Sequence, residues 1–522
     1  MTALTNRLHQ LSPDRLRGLR RGVEKESLRA QPDGGLALTP HPAALGSALT
    51  HPLITTDYSE SQLELITGVH PSAEACLAEL DEIHQAVYQV LGRHDEAERL
   101  WVGSMPCGLP TDETIPLGRY GSSNIGRAKS IYRMGLAHRY GRRMQTISGI
   151  HYNWSMPGLG NDEYFALIRN FRRHAFVLLA LFGASPAVCA SFVEGRQHTL
   201  LPVPGTGGHT LHMPHATSLR MGRLGYQSDA QASIGVSYNS LDRYAHSLYG
   251  ALTSPYPLYE AVGIRNPGGD YNQLATTLLQ IENEFYGLIR PKRVIRSGER
   301  PLHALRERGV EYIEVRCMDL DPFEPLGINA QTMRFLDVFL LHCLLADSPP
   351  DTPAEIGALA RNQHRTAARG REPGLLLERG DDVTTLADWA GELLAQCAPI
   401  AEALDAAQGG QAHRQALEAA QTALAAPDTL PSARVLQAMQ SEHQGSYTRF
   451  IKTCSETTRQ ALLAQPWTAA QAERFARLAE QSLAEQRRIE AADTMPFERW
   501  RQAYLDPATL GVAPVAPVAR AA

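Results

Sequence analysis

Polar and apolar residues alternate in four short segments of the chain, and this alternation predicts four β-strands. The segments are residues 22–28, 62–67, 149–155 and 310–316. Successive side chains of a strand point to opposite faces of its sheet, so residues two apart share a face. Glu24 and Glu26 in the first segment therefore lie side by side, while Val23 faces the other way. Two neighbouring carboxylates repel each other unless they share a proton or a cation.

Longer segments repeat their apolar residues at the spacing of an α-helix. This spacing predicts helices over residues 72–93, 161–182, 331–345, 387–406 and 411–425. Pro71 precedes the first of these segments, and Asn161 is the expected N-cap of the second. Because strands and helices do not alternate regularly along the chain, the pattern predicts an α+β fold.

The distribution of these elements predicts one large domain over residues 1–505. Residues 1–330 mix strand and helix patterns and form the expected catalytic core, whereas residues 331–505 are mostly helical. Residues 506–522 end in a low-complexity Ala-Pro-Val sequence and are expected to form a flexible tail.

The charge balance limits the possible partners. The chain of 522 residues has 50 Lys and Arg against 55 Asp and Glu, a formal net charge of −5. This balance is too mild for a nucleic-acid or anionic-membrane partner and favours small-molecule chemistry. The N-terminus lacks the apolar core of a signal peptide, and Gly183 and Pro186 interrupt the longest uncharged stretch, residues 175–193. We therefore expect a soluble, cytoplasmic protein.

Neither the cysteines nor a trio of histidines supports a metal site. The cysteines are scattered, without a C-x-x-C pair, at Cys76, Cys107, Cys189, Cys317, Cys343, Cys397 and Cys454. Such a set is typical of free thiols in a reducing compartment, and its spacing indicates no regulatory disulfide. His209, His212 and His215 have metal-like spacing, but no strand or helix pattern supports them, which favours loop histidines.

Residues 121–128 have the glycine spacing of a P-loop without its chemistry. Arg127 stands where the motif needs Lys, and Ala128 stands where it needs the Ser or Thr that binds the metal. We therefore interpret the segment as a Gly-rich loop, and any nucleotide must be held in another way.

The other predicted strands also carry polar residues on one face. Glu64 alternates with leucines, Glu314 alternates with Ile and Val, and His151 shares a face with Asn153. Each strand alone could be an ordinary solvated face. Four such strands together predict an acid-rich sheet face that binds Mg²⁺, a hard cation that takes oxygen ligands. His151 suits this site if Mn²⁺ can also bind.

The densest basic segment is residues 290–296. It is either a solvated charge cluster or an electrostatic clamp for nucleotide phosphates beside the metals. Spacing alone does not decide between these two interpretations.

Longer segments carry a resemblance to a known family. They are RGVEKESLRA, ALGSALTHPLITTDYSESQLELIT, MQTISGIHYNWS, HATSLRMGRLGY, IENEFYGLIRPKRVIRSGE and GVEYIEVRCMDLDPF, within about residues 15–330. The chain resembles the bacterial glutamate–cysteine ligases (γ-glutamylcysteine synthetases) of the gammaproteobacterial type, with weaker similarity as far as EAADTMPFERW. The resemblance implies a fold like the catalytic domain of glutamine synthetase, in which a curved, mainly antiparallel sheet forms a funnel with helices outside.

The resemblance also implies roles for individual residues. It places the metal ligands at Glu24, Glu26, Asp57, Glu64, His151 and Glu314. It places substrate contacts, mainly a cysteine pocket, at Tyr58, Tyr132, Arg133, Leu136, Gln145, Tyr226 and Tyr286. Catalytic roles fall on Arg220, at the glutamate site, and on Arg316, near the transferred phosphoryl group. Contacts to the ATP phosphates fall on Arg290, Lys292, Arg293 and Arg316.

The implied reaction joins the γ-carboxylate of L-glutamate to the amine of L-cysteine through a γ-glutamyl phosphate, with ATP as co-substrate. Mg²⁺ is the expected cofactor, with Mn²⁺ as a possible replacement, and a monomer is expected. One alternative is a ligase of the same superfamily that uses another amine. A catalytically inactive nucleotide- or amino-acid-binding regulator is a second alternative, but it would be expected to lose some acids or Arg316, and none is lost.

Overall fold

The computed structural model describes residues 3–92, 96–225, 229–232, 234–296 and 298–512. The strands of this part are β1 Arg20–Ala30, β2 Ile54–Thr56, β3 Gln62–Ile66, β4 Arg99–Leu100, β5 Ile150–Ser155, β6 Ala187–Cys189, β7 Leu201–Pro202, β8 Thr210–His212, β9 Ile289–Lys292, β10 Tyr312–Met318, β11 Leu376–Arg379 and β12 Asp382–Thr385. Together with the helices they confirm the predicted α+β class.

The helices of the same part dominate the second half of the chain. They are α1 Ala3–His9, α2 Pro13–Arg17, α3 Ala73–Leu91, α4 Asn124–Tyr140, α5 Arg142–Gln145, α6 Asn161–Phe182, α7 Ala190–Val193, α8 Asp229–Ala232, α9 Leu241–Thr253, α10 Pro257–Val262, α11 Pro301–Arg308, α12 Ala330–Leu345, α13 Pro353–Arg369, α14 Leu386–Gln408, α15 Ala412–Ala425, α16 Pro431–Glu442, α17 Tyr447–Ala464, α18 Ala469–Ala492 and α19 Phe497–Leu505.

The main sheet joins the four strands that the alternation predicts. Its order is β2-β3-β1-β5-β10-β9, with β4 paired to one end of β1, and every pairing in it is antiparallel. Val23, Tyr152 and Ile313 lie on one face and are fully buried in the main hydrophobic core. The other face therefore carries Glu24 and Glu26, as the alternation requires.

Helices α3 and α6 pack against the strands of this sheet, and α12 packs against both helices. A buried ion pair crosses the layers, because Arg21 Nη2 of β1 lies 2.8 Å from Asp337 Oδ2 of α12. The hydroxyl of Tyr152 donates a 2.8 Å hydrogen bond to the other oxygen of Asp337. These contacts hold α12 on the apolar side of the sheet. The polar face of the sheet therefore remains available for a functional site.

The predicted helix 161–182 has the expected bounds, but its N-cap is Gly160 and not Asn161. The Glu163 carboxylate accepts a 2.8 Å hydrogen bond from the Gly160 N–H group, which satisfies the helix end without an Asn side chain. The Asn161 side chain instead accepts a 2.8 Å hydrogen bond from the N–H group of Val310. The side chain thus joins α6 to the start of β10.

Three further predictions need correction. The segment 121–128 is a loop only at its start, because α4 begins at Asn124. His212 ends the short strand β8, although no strand was expected there. Residues 507–510 form a short 3₁₀ helix, and both Leu510 and Val512 are buried, so the described part of the predicted tail packs against the protein. Residues 513–522 lie outside the described part.

All seven cysteines are free thiols, as the scattered spacing predicts. Within the residues that the structure describes, no helix combines the length and the apolar character that crossing a membrane requires.

Candidate active site

The acid-rich face predicted from the sequence is formed by the strand register. Glu26 of β1 lies directly opposite Glu64 of β3, and Glu24 of β1 lies directly opposite His151 of β5. Glu314 of β10 continues the row two strands away from β1. Directly opposite residues of an antiparallel pair share a face with their Cβ atoms about 5 Å apart. The register therefore gathers acids that are up to 290 positions apart in the sequence.

Hydrogen bonds orient the middle of this row. His151 Nδ1 lies 3.2 Å from Glu24 Oε2, and the Asn153 side-chain amide donates a 2.9 Å hydrogen bond to Glu24 Oε1. One possible ligand atom each from Glu24, His151 and Glu314 lies within 4.8 Å of the other two. This spacing allows one divalent cation to bind between three strands with small side-chain movements.

Basic side chains border the row at its β10 end. Lys292 Nζ lies 2.7 Å from one oxygen of the buried Glu314 carboxylate, and Arg316 Nη1 lies 2.8 Å from the other. Burial opposes ionisation, but these two charges outweigh it and hold the pKa of Glu314 well below its ordinary value. The pKa of Glu24 is also lowered. Burial and the charge of Glu314 would raise it, but the hydrogen bond from His151 and the charge of Lys292 outweigh them.

At the opposite end of the row, the charges of Lys129, Arg220 and Arg316 do not outweigh burial and the neighbouring carboxylates. Burial and the carboxylate of Asp57 raise the pKa of Glu26 to about 8. Burial, together with Glu24 and Asp57, raises the pKa of Glu64 well above its ordinary value. A divalent cation at this end would offset the repulsion and return both carboxylates to the ionised form.

All six predicted metal ligands line one cavity of about 330 Å³; they are Glu24, Glu26, Asp57, Glu64, His151 and Glu314. Asp57 follows β2 in a tight connection, and its N–H group donates a 3.0 Å hydrogen bond to the carbonyl of Gln62. This connection, and not strand alternation, brings its carboxylate beside Glu26 and Glu64.

Predicted substrate-binding residues line the same cavity, namely Tyr58, Tyr132, Arg133, Leu136, Gln145 and Tyr286. The Gln145 side-chain amide donates a 2.6 Å hydrogen bond to the hydroxyl of Tyr286, which joins α5 to the segment before β9. The hydroxyl of Tyr58 is buried and has no hydrogen-bond partner among the described residues. Tyr226 lies outside the described residues.

Arg220 lines a second cavity of about 260 Å³, which shares His151, Tyr286 and Arg316 with the first. Its side chain is buried, and Nη2 donates a 2.9 Å hydrogen bond to the main-chain carbonyl of Arg316. Asp319 lies 3.9 Å from Nη1. The guanidinium is therefore fixed beside the acid row.

The structure divides the basic segment 290–296. Arg290 and Lys292 lie on the polar face and line the larger cavity. Arg293 follows the last residue of β9 and is directed away, where Nη1 donates a 3.1 Å hydrogen bond to the carbonyl of Gly309 and Nε lies 3.8 Å from Glu311. The strand geometry thus brings two of these three cations to the site.

Lys129 is a cavity residue that the sequence pattern does not reveal. It lies on α4, with Nζ 4.7 Å from the ring centre of Tyr120, and its charge acts on Glu64 and Asp57. Polar residues occur all around α4, so its sequence has no clear apolar stripe. The one readable signal is Ser123, which caps the helix by accepting a hydrogen bond from Gly126.

Comparisons with known proteins show the family of the chain. The model of the family "Glutamate-cysteine ligase" matches residues 5–366. The glutamate–cysteine ligase of Alcanivorax borkumensis is 46% identical, with 97% of this chain and 99% of that protein covered. The glutamate–cysteine ligase of Pseudomonas entomophila is 47% identical, with 94% of each chain covered.

Solved structures give the same result. The crystal structure of glutamate–cysteine ligase from Francisella tularensis in complex with AMP superposes with a TM-score of 0.89 at 34% identity, covering 95% of this chain and 99% of that one. A bifunctional glutathione synthetase from Pasteurella multocida superposes with a TM-score of 0.70 at 25% identity, covering 92% of this chain and 58% of that one. The fold and these relatives make the chain a ligase. The chain belongs to the glutamate–cysteine ligase family.

Proposed function

We propose that the chain catalyses the ATP-dependent ligation of L-glutamate, through its γ-carboxylate, to L-cysteine. The products are γ-glutamylcysteine, ADP and phosphate, and the reaction is the first step of glutathione biosynthesis. The row of acids bordered by Lys292 and Arg316 carries this proposal. Phosphoryl transfer needs positioning and charge neutralisation more than it needs a nucleophilic side chain, and this row is suited to supply both.

The chemistry explains why ATP is required. A free carboxylate is a poor electrophile because its charge is delocalised and its leaving group would be oxide. Transfer of the γ-phosphoryl group of ATP to the γ-carboxylate forms an acyl phosphate and ADP. The neutral amine of cysteine then attacks the carbonyl carbon, a C–N bond forms, and the C–O bond to phosphate breaks. The amine loses a proton in this step.

The donor set fits a hard divalent cation. Five carboxylates, from Glu24, Glu26, Asp57, Glu64 and Glu314, offer the oxygen ligands that Mg²⁺ prefers. His151 adds an imidazole nitrogen, which Mn²⁺ also accepts. Cations held by these residues would neutralise negative charge on the phosphates of ATP. The raised pKa values of Glu26 and Glu64 support a cation at that end of the row.

The basic residues near the acids are assigned to two kinds of negatively charged group. We assign phosphate contacts to Arg290, Lys292 and Arg316, which line the cavity next to the acids. Arg220 is assigned to a carboxylate of glutamate, because its fixed guanidinium can form a paired, charge-assisted hydrogen bond. The AMP bound by the Francisella relative supports an adenine nucleotide in this site. Arg293 is left out because it is directed away.

The aromatic residues around Gln145 and Tyr286 are assigned to the cysteine substrate. A pocket of this kind discriminates by about 1–3 kcal/mol per methyl group, so serine and 2-aminobutyrate are the relevant competitors. The pocket role of Tyr226 stays a prediction. A monomeric state, a cytoplasmic location and the lack of nucleic-acid and membrane partners also stay predictions.

Release of ADP by the purified chain with ATP, Mg²⁺ and glutamate tests the proposed function. The assay compares L-cysteine with L-serine, 2-aminobutyrate and glycine, each with and without glutamate. We expect release that needs glutamate and is stimulated most by cysteine. Stronger stimulation by another amine would identify a ligase with a different acceptor, and no release with any amine would identify a regulator.

A further inference from the structure

Two cysteines outside the acid row form a thiol pair. Cys107 lies in the segment after β4, and Cys189 is the last residue of β6. The hydroxyl of Thr448, on α17, lies 3.3 Å from Cys107 Sγ and 3.9 Å from Cys189 Sγ. Each thiol is also among the causes of the pKa shift of the other. Three segments that are far apart in the sequence therefore meet at two sulfur atoms.

The environments of the two sulfurs differ. Cys107 is fully buried, and burial raises the pKa of its thiol well above the ordinary value. Cys189 is half-buried, and its sulfur accepts a 3.3 Å hydrogen bond from the hydroxyl of Ser191. Hydrogen bonding, first from Cys107 and then from Ser191, lowers the pKa of Cys189 to about 4. The lowered pKa favours the thiolate form of the half-buried Cys189, and the raised pKa favours the protonated form of Cys107.

The other titratable group that faces this pair is the hydroxyl of Tyr447 on α17. Burial raises its pKa well above the ordinary value, so it is protonated at neutral pH and adds no negative charge. The hydroxyls of Ser191 and Thr448 and the N–H groups of Gly108 and Ser191 also lie at Cys189 Sγ. The thiolate is stabilised by hydrogen bonds that stay in place over the physiological pH range.

We propose that Cys189 is a site of oxidation by peroxides and that Cys107 resolves the product into a Cys107–Cys189 disulfide. The thiolate of Cys189 attacks a peroxide oxygen, so an S–O bond forms, the O–O bond breaks, and the leaving hydroxide takes a proton to become water. The sulfur of Cys107 then attacks the sulfenic sulfur, an S–S bond forms, and hydroxide leaves with the proton of Cys107 as water. Two thiols lose two electrons, and hydrogen peroxide is reduced to two waters.

The disulfide would act on the cavity through a short path. The guanidinium of Arg143, on α5, donates to the carbonyl of Ser191, and its Nε donates a 2.8 Å hydrogen bond to Asp112. Helix α5 ends at Gln145, which lines the larger cavity and bonds to Tyr286. Movement of Cys189 toward Cys107 therefore shifts the anchor of this helix. We therefore expect the disulfide to increase the KM for cysteine. This consequence rests on the proposed function, whereas formation of the disulfide does not.

Peptide mass spectrometry of the full chain tests the proposal without an activity assay. The reduced protein is treated with stoichiometric hydrogen peroxide at pH 7 and blocked with N-ethylmaleimide before digestion. We expect the Cys107–Cys189 crosslinked peptide to be the main oxidised species. The Cys107→Ser variant keeps a hydroxyl beside Cys189 and is expected to accumulate a sulfenic acid there, which dimedone labels.

Cys454 is a matched control because it is also half-buried, while burial raises its pKa to about 12. The thiolate is the form that is alkylated, and the lower pKa of Cys189 leaves more of its sulfur in this form at pH 7 than the raised pKa of Cys454 allows. We therefore expect iodoacetamide to alkylate Cys189 at least about tenfold faster than Cys454. Equal alkylation rates, or peroxide-treated wild-type protein without the Cys107–Cys189 peptide, would overturn the proposal even if Cys107→Ser fails to fold.

Discussion

Glu26 and Glu64 lie directly opposite each other on β1 and β3, with both carboxylates on the polar face of the sheet. Like charges in this arrangement destabilise an antiparallel pair. Burial and the nearby Asp57 add to the cost, which is why the pKa values of both glutamates are raised. This end of the site therefore depends on a cation more than the β10 end, where Lys292 and Arg316 already balance Glu314.

The first prediction concerns the charge of Glu314. Glu314→Gln keeps the size of the side chain but removes the charge of one proposed metal ligand. Lys292 and Arg316 then lose the carboxylate with which they form ion pairs. We expect kcat for cysteine-stimulated ADP release to fall by about 10²-fold or more, the range seen when one preorganised electrostatic contact is removed. Circular dichroism is expected to show an unchanged fold.

Glu311→Gln is the matched control for this variant, because Glu311 is exposed and is not a lining residue of the cavity. We expect it to keep wild-type turnover within about twofold. Near-normal turnover by Glu314→Gln would remove Glu314 from the metal assignment.

The second prediction concerns the hydrogen bond between Gln145 and Tyr286. Tyr286→Phe removes the acceptor hydroxyl and leaves the ring in place. Without this bond the Gln145 side chain is less firmly held in the pocket, and we expect the KM for cysteine to rise by about 2–10-fold, at most the worth of one hydrogen bond. Steady-state kinetics with each substrate varied in turn measure it, with little change expected in the KM for ATP.

Tyr164→Phe is the control for this change, since the Tyr164 hydroxyl donates a 2.9 Å hydrogen bond to the carbonyl of Glu311, away from the cavity. Its KM values are expected to match wild type. If Tyr286→Phe raised the KM values for cysteine and ATP equally, the assignment of the pocket to cysteine would fail.

The acid row can be predicted from the sequence because the alternation within each strand decides on which face of the sheet a side chain lies. Alternation places Glu24 and Glu26 on one face of the sheet and Val23 on the other, and the structure confirms this arrangement. Asp57 cannot be placed in this way, because a turn outside the strands sets its position. The sequence also does not reveal that β9 ends at Lys292. With that end known, Arg293 would have been predicted to lie away from the face that carries Lys292.

Contacts between distant segments explain what the sequence leaves out. The opposition of Glu26 and Glu64 follows from strand order and register, which no single segment contains. Lys129 lies on a helix without an apolar stripe, and its position above Tyr120 follows from packing. The neighbouring thiols of Cys107 and Cys189 are 82 positions apart, so their spacing indicates nothing.

The third prediction tests Lys129, whose charge faces Glu64 and Asp57 across the cavity. Lys129→Met keeps the length of the side chain and removes its charge. We expect turnover to fall at least about tenfold, because the phosphate oxygens of ATP lose one cationic neighbour. Lys129→Arg, which restores the charge, is expected to recover part of the activity.

Arg127→Met is the control from the same helix, since Arg127 is exposed and its guanidinium lies 4.4 Å from the ring centre of Phe497. Its turnover is expected to stay near wild type. Equal turnover in the Lys129→Met variant and in wild type would show that Lys129 has no part in the reaction.

The fourth prediction concerns pH and the buried His51. Its Nδ1 accepts hydrogen bonds from the N–H groups of Leu53 at 3.2 Å and Ile54 at 2.9 Å, so the folded state needs the neutral ring. Burial lowers the pKa of His51 to about 4 from an ordinary value of 6.5. Between these values the unfolded chain binds more protons than the folded chain. The free energy of unfolding is therefore highest above pH 6.5 and falls by up to about 1.4 kcal/mol per pH unit as the pH drops toward 4.

Urea unfolding at pH 7, 6, 5 and 4 measures this slope. In His51→Asn a side-chain oxygen can replace Nδ1 as acceptor without titrating, so we expect a smaller loss of stability toward pH 4 than in wild type. His209→Asn, at an exposed histidine, is expected to keep the wild-type slope. Identical slopes in wild type and His51→Asn would contradict this role of His51.

Binding of Mn²⁺ in the presence of ATP is the most direct test of the acid row as a metal site. Electron paramagnetic resonance counts the ions bound per chain in wild type and in the double variant Glu26→Gln/Glu64→Gln. We predict that wild type binds Mn²⁺ together with ATP and that the variant, which keeps its fold by circular dichroism, binds at least one ion fewer. The same number of ions with the same affinity in both proteins would contradict the assignment of Glu26 and Glu64 to a metal site.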